Sequence, residues 1–310
     1  MTANDTGHDY YAGAPFPRRA RSTWPNGAGL ACAIVVSAEY YEMRPPANAF
    51  VPPNMPGGFG RGPYPDFRNY SVRAYGNRVG IFRIFTALAE YGLPASVALD
   101  AMTAELCPQL LPHIARHGFE IVAHGQSITR VISSRMPDAE ERAYIGATLD
   151  TIRSRTGIMP AGWHGPEYGE SRHTPALLAA AGLGYVLDWP NDEQPIAMTT
   201  AGGPILSIPM AIDLDDVYAQ HHRRLSAVRW RTCIEDAIEQ VSGDSREDGI
   251  ARLLVVNLHP WLSGQPSRIG QVEALLKGLA ERKDVWLAST GEIAAHWAGQ
   301  IEQVNRTGHV

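Results

Sequence analysis

The sequence predicts an α/β chain folded as a single distorted (β/α) barrel of about seven parallel strands. Three observations carry this expectation. Short, nearly continuous apolar runs recur along the chain, as expected of strands buried on both faces of a parallel sheet. Stretches of helical spacing lie between them, several ending at a glycine, the residue that most readily takes the left-handed turn after a helix. Seven or eight such strand–helix units fit within 310 residues, which suits a barrel better than an open doubly wound sheet.

Residues 1–28 mix Gly, Pro, Arg and polar residues without a period and read as an N-terminal extension. The barrel is assigned to 29–300 and a tail to 301–310. LACAIVVSA (30–38) is the first buried strand. From 40 to 70 the chain is crowded with Pro, Gly and aromatic residues, too broken for helix or sheet, and is expected to be a loop covering a site. A helix over 80–91 stops at Gly92 and leads to the strand PASVAL (94–99). The alternation continues with a helix near 104–117, the strand FEIVAH (119–124), a helix over 138–156 and a short strand at 161–165. A helix at 174–181 precedes LGYVLDW (183–189), with a further strand near 204–210. Helix 226–241, strand RLLVVNLH (252–259), helix 267–282, strand 284–289 and a last helix at 291–297 complete the order.

Composition excludes several classes of function. A net charge of -5 without a dense Lys/Arg stripe gives no electrostatic footprint for nucleic acid or an anionic membrane. No apolar run approaches the length of a membrane span, and no leader pattern opens the chain. The three cysteines, Cys32, Cys107 and Cys233, are widely spaced and form neither a CxxC motif nor a disulfide framework. A cytoplasmic protein is expected. No Gly-rich phosphate fingerprint follows the first strand, so a nucleotide cofactor is not supported.

In such a barrel, chemistry collects where strands end at their carboxyl edge. Those ends carry Glu39, Asp100, His124, His164, then Asp188 with Trp189, then His259 with Trp261. Three histidines and three carboxylates would thus face one mouth. Each also has a structural explanation. Asp100 suits a helix N-cap, Asp188 a turn, and Glu39 an ion pair with Arg44 or Arg68. His113, His117, His173, His221, His222 and His296 read as surface residues on helices or polar turns. His8 and His309 lie in the tails.

The segments WPNGAGLACAIVVSAEYYE, YGNRVGIFR, FEIVAHG, GWHGPEYGES, LDWPNDEQP and LHPWLSGQPSR, taken together, resemble the polysaccharide deacetylase (NodB-like) superfamily. Within it they are similar to the allantoinase-type branch acting on cyclic ureides and imides. The resemblance implies a distorted barrel and hydrolysis of a non-peptide C–N bond. It departs from the family at two points. The Asp-Asp pair after the first strand is Ser37-Ala38-Glu39 here, and the His-x-x-x-His motif reads His124-Gly-Gln-Ser-Ile128. Two of the three ligands of the family's zinc are thereby lost or altered, so no cofactor is expected. The alternative metal set would be Glu39, His124, His164 and Glu167. His259 matches the family's late histidine, whose implied role is general acid to the leaving nitrogen. Glu39 and His124 are then the candidates for activating water. Without a metal, backbone N–H groups after His124, or Arg78, are the candidates to hold the oxyanion. Arg78, Trp163, His164, Glu167, Asp188, Trp189 and Trp261 are expected to contact a small planar substrate.

Two other readings stand beside this one. One is a metal-dependent N-deacetylase of an acetylated sugar; the other is a non-catalytic relative that binds a ligand in the same mouth. The resemblance to the ureide branch also implies a homo-oligomer.

Overall fold

The computed structural model of the chain describes residues 8–11, 15–47, 49 and 64–307. Among the described residues nine strands form one curled sheet that makes an incomplete barrel: β1 Leu30–Ala38, β2 Ser96–Leu99, β3 Glu120–Ala123, β4 Gly162–Trp163, β5 Tyr185–Val186, β6 Ile196–Thr200, β7 Gly203–Ser207, β8 Arg252–Leu258 and β9 Val285–Leu287. Their order is β6-β7-β5-β4-β3-β2-β1-β8, with β9 also paired to β1. All ladders are parallel except β6–β7. Among the described residues β7 and β8 do not pair as strands. Single bonds tie β8 to the segments flanking the β6–β7 hairpin, Ala211 N–H to Val255 O at 3.0 Å and Leu253 N–H to Glu193 O at 2.7 Å.

The helices are α1 Phe67–Tyr75, α2 Ile81–Glu90, α3 Ala101–Leu106, α4 Leu111–His117, α5 Asp138–Thr156, α6 Thr174–Ala180, α7 Ala227–Asp248, α8 Pro260–Ser263, α9 Ile269–Ala280 and α10 Thr290–Thr307. No helix among the described residues is long and apolar enough to cross a membrane. The expected glycine stops hold where they were argued, as at Gly118 and Gly157, which carry φ of +66° and +74°.

Several expectations need correction. The predicted helix 104–117 is two helices, because Pro108 follows Cys107 and lacks the N–H that would continue the first. The segment 196–200 folds as β6, an antiparallel edge hairpin whose half-exposed pattern lacks the apolar run used to find strands. The helix expected from Gly80 is preceded by another, α1, joined to α2 through a π-helical turn over Gly76–Gly80. Here the glycines permit close packing and do not end the helix: a Cβ on Gly76 would lie 2.7 Å from Trp261 N, and one on Gly80 2.0 Å from Pro260 O. Part of the predicted covering loop 40–70, residues 48 and 50–63, lies outside the described residues.

Strand pleating decides what faces the barrel interior. Along β1, Leu30, Cys32, Ile34 and Val36 pack in the core cluster under the helices, whereas Ala31, Ala33 and Val35 pack in the interior cluster with Ala98, Val122, Tyr185, Val255 and Trp24. Small residues on β1 leave room there for Tyr185. A Cβ on Gly162 would meet the Tyr185 ring at 2.0 Å.

Candidate active site

The interior parity continues past the strand ends. On β1 it passes from Val35 through Ser37 to Glu39, on β3 from Val122 to His124, on β4 from Gly162 to His164, and on β8 from Val255 through Asn257 to His259. Six of the sequence-predicted residues therefore come together: Glu39, His124, His164, Glu167, His259 and Trp261 line one cavity of about 250 Å³. Arg73, Ile128, Tyr168, Asp215, Asn257 and the 212–222 segment complete its wall.

Four predicted contacts are not on that wall. Arg78 lies in the π-helical turn and is exposed. Trp163 has the opposite parity to His164 and is buried under α5, edge-on to Tyr144 at 6.4 Å. Asp188 likewise falls on the outward side of its strand. It accepts from His164 Nδ1–H at 2.9 Å and from Gly165 N–H at 2.8 Å, so it orients His164 and does not meet a ligand. Trp189 packs against Tyr10 and Tyr11 and donates from Nε1 to Glu170 at 2.8 Å. Asp100 is an N-cap, accepting from Thr103 N–H while its other oxygen takes the Tyr40 N–H, both at 2.5 Å, which ties the start of the loop after β1 to α3.

At the centre stands Glu39. Its Oε2 is 3.2 Å from the Arg73 guanidinium, and its Oε1 is 3.3 Å from His124 Nε2 and 3.5 Å from His259 Nε2. Arg73 in turn lies over the Trp261 ring at 4.5 Å. His124 Nδ1 is 2.6 Å from the His164 carbonyl oxygen. A carbonyl only accepts, so this nitrogen carries the proton. The His124 and His164 rings stack at 4.6 Å.

His259 is held by residues that the sequence reading did not single out. Its Nδ1–H donates to Asp216 Oδ1 at 2.6 Å, and its backbone N–H to Asp216 Oδ2 at 2.9 Å. Ser263 donates to the same Oδ2. Asp215 accepts from Asn257 Nδ2 at 3.0 Å, from Tyr168 OH at 3.3 Å and from the Val217 and Tyr218 N–H groups. The available signals were a polar Asn257 inside an otherwise apolar strand and the pair Asp215-Asp216 shortly after PILSIPM.

The charges follow from these contacts. Burial alone would lower the His259 pKa, but Asp215, Glu39 and Asp216 outweigh it and hold the imidazole well above its ordinary value. Burial pushes the Glu39 carboxyl up; the His259 charge, the hydrogen bonds from His124 and His259, and Arg73 overcome it and keep Glu39 well below the usual carboxylate range. The resting centre is an imidazolium facing a carboxylate. His164, buried first and then beside His124 and His259, is pushed down and stays neutral despite Asp188. Glu167 is pushed up to about 7, chiefly by burial.

The family resembled by this chain is generally metal-dependent, and the residues present were tested for fit. Donors to one zinc ion at about 2.0–2.2 Å lie at most about 4.4 Å from each other. Among the described residues, Asp215, Asp216 and His259 are the one set whose donor atoms all fall within 4.8 Å of one another. They could hold a cation only by giving up the 2.6 Å His259–Asp216 hydrogen bond and those to Asp215. The set Glu39, His124, His164 and Glu167 does not converge in this way. Ile128 offers the cavity no donor. The residues as they stand do not fit a resident metal.

Residues 75–186 match the polysaccharide deacetylase family model. A Schizosaccharomyces pombe protein, provisionally assigned as a polysaccharide deacetylase, is 22% identical over 89% of this chain and 92% of its own. Among solved structures, PuuE allantoinase superposes with a TM-score of 0.81 at 22% identity, covering 94% of this chain and 98% of that one. A Pseudomonas aeruginosa PAO1 protein, also provisionally assigned as a polysaccharide deacetylase, gives 0.80 at 23%, covering 90% and 94%. These superpositions establish the fold as the distorted (β/α) barrel of NodB-like deacetylases. Together with the family match over residues 75–186, they make the chain similar to the NodB-like polysaccharide deacetylases.

Proposed function

We propose that the chain hydrolyses the C–N bond of a small cyclic ureide or imide, with His259 as general acid to the leaving nitrogen. The observation that supports this most is the placement of the His259 ring at the cavity wall, with Asp216 on Nδ1 at 2.6 Å and Glu39 3.5 Å from Nε2. An amide nitrogen leaves poorly unless protonated, and a histidine kept charged is poised to donate. Glu39 and His124, 3.3 Å apart, border the place for the attacking water. Glu39 stays ionised there, so its part is to hold the water and sustain the imidazolium.

The cavity favours a small substrate. About 250 Å³ falls below the roughly 300–1,000 Å³ of pockets that take drug-sized ligands, and Tyr168 and Trp261 give its wall flat surfaces. The likeness to an allantoinase agrees with a ureide or imide ring.

Hydrolysis assays over cyclic ureides, cyclic imides and N-acetyl sugars, with wild type and His259→Ala, test the reading. Turnover of a ring substrate lost in His259→Ala is the expected result; equal behaviour of both proteins on every compound overturns it. A second reading, a metal-dependent N-deacetylase, draws on the Asp215, Asp216 and His259 donors and on the family match. It requires deacetylation of an N-acetyl sugar that chelation abolishes and a divalent ion restores.

A further inference from the structure

The reading above accounts for the leaving group's proton and leaves open where the attacking water's proton goes. The named candidates serve poorly as its acceptor. Glu39 already meets Arg73 through one oxygen and two imidazoles through the other. Its ionised form is the stabilised one, which makes it a weak base. His124 has both ring nitrogens engaged, Nδ1 with the His164 carbonyl at 2.6 Å and Nε2 with Glu39 at 3.3 Å.

Besides Glu39 and the hydrogen-bonded Asp215, one carboxylate of the described residues lines the cavity. Glu167 makes no hydrogen bond to any described residue, in a site where every other acid is bonded. Its backbone is unusual: Glu167 and Tyr168 are consecutive non-glycine residues with φ of +56° and +55°. Such residues disfavour that region, and its retention at a ligand wall points to a constraint on where the side chain stands. The turn is fixed from several sides. Tyr168 N–H reaches Gly165 O at 3.0 Å, Gly169 N–H reaches Pro166 O at 3.0 Å, and Tyr168 OH reaches Asp215 at 3.3 Å. The charged groups facing Glu167 come from four elements: Arg73 on α1, Glu39 after β1, Asp215 after β7 and His259 after β8. The two cations favour its ionised form and the two acids oppose it.

We propose that Glu167 is the general base of this hydrolysis, taking a proton from the water that attacks the carbonyl carbon. This rests on the proposed C–N hydrolysis. The water oxygen bonds to the carbon as its proton passes to the Glu167 carboxylate, and the C=O electron pair moves onto oxygen. Collapse of the tetrahedral intermediate breaks the C–N bond, and the nitrogen takes the proton of His259 Nε2. The ring opens to a carboxylic acid and an amine-type nitrogen on one molecule. Glu167 then returns its proton through solvent to His259, and one water has been consumed.

The test compares wild type, Glu167→Gln and Glu167→Asp on a ring substrate that wild type turns over, with folding checked by circular dichroism. Glu167→Gln keeps shape and removes the proton acceptor. Its kcat is expected to fall about 100-fold or more, its affinity for an unreactive ring analogue to stay within about threefold, and the acidic limb of its pH–rate profile to disappear. Glu167→Asp retains a base and is expected to recover part of the rate together with that limb. If Glu167→Gln keeps kcat within about threefold, or loses analogue affinity in proportion to rate, Glu167 is not the base. Should Glu167→Gln fail to fold, a Glu167→Asp that folds yet lacks any acidic limb overturns the proposal. A wild type inactive on every compound refutes the hydrolase reading itself, an outcome distinct from an active Glu167→Gln.

Discussion

Asp216 and His259 are bonded at two points, the carboxylate taking the ring Nδ1–H at 2.6 Å through Oδ1 and the backbone N–H of the same histidine at 2.9 Å through Oδ2. The second bond fixes the chain that carries the ring, so orientation and charge depend on one side chain. Asp216→Asn removes the negative charge while nearly preserving volume. The His259 pKa then falls, the alkaline limb of kcat/KM moves to lower pH, and kcat drops by about 100-fold or more. A profile unchanged in position would separate His259 from the acid role.

Glu167 also predicts a stability effect that is independent of turnover. Its pKa, 4.5 as the reference, is pushed up to about 7 in the fold, so the neutral form is the one the fold favours. The contribution is present below pH 4.5 and is lost as pH rises through 7. Glu167→Gln, always neutral, should therefore match wild type in Tm near pH 4.5 and exceed it near pH 8. Thermal unfolding at both pH values decides this, and a constant difference would contradict it.

Arg73 and Arg78 lie on consecutive turns and should behave oppositely. Arg73 is buried, paired with Glu39 and stacked on Trp261, so Arg73→Met breaks a buried ion pair and leaves Glu39 to its imidazole neighbours; breaking such a pair costs about 3–5 kcal/mol. Arg78 is exposed. Denaturant unfolding and rate measurements are expected to show Arg73→Met strongly impaired and Arg78→Met close to wild type, within about 0.5 kcal/mol.

Dialysis against a chelator should leave the rate intact, and elemental analysis should find less than one metal ion per chain. The argument is geometric: His259 and Asp216 meet across 2.6 Å with a proton between them, and Ile128 stands where the family has a ligand. Activity lost on chelation and regained with zinc would show that the Asp215, Asp216 and His259 hydrogen bonds open to admit an ion.

Much of this barrel was legible because its strands are buried on both sides and therefore read as apolar runs. β6 was not, since a half-exposed edge hairpin has neither that run nor a strong turn signal. Site residues at strand ends were found for the same reason: a run such as LLVVNLH breaks into polarity where the barrel opens. What strand-end reading alone could not supply was parity. Trp163 and His164, or Asp188 and Leu187, are neighbours in sequence yet face opposite sides, and the choice depends on pairing with adjacent strands. Arg73 was missed because its helix, Phe67–Tyr75, starts inside the Pro- and Gly-rich stretch read as a loop over 40–70 and runs on where no element was assigned. Asp215 and Asp216 were missed because they sit several residues beyond β7, where the chain turns back toward the mouth.

The open edge of the sheet gives this last pair a further meaning. Asp215 and Asp216 follow the β6–β7 hairpin at one edge of the sheet, while Asn257 and His259 belong to β8, the strand at its other edge, and its end. The acid–imidazole pair thus acts as a clasp across the barrel's seam. Spreading of the seam would part His259 from the carboxylate that keeps it charged, so mechanical closure and acid strength rise and fall together.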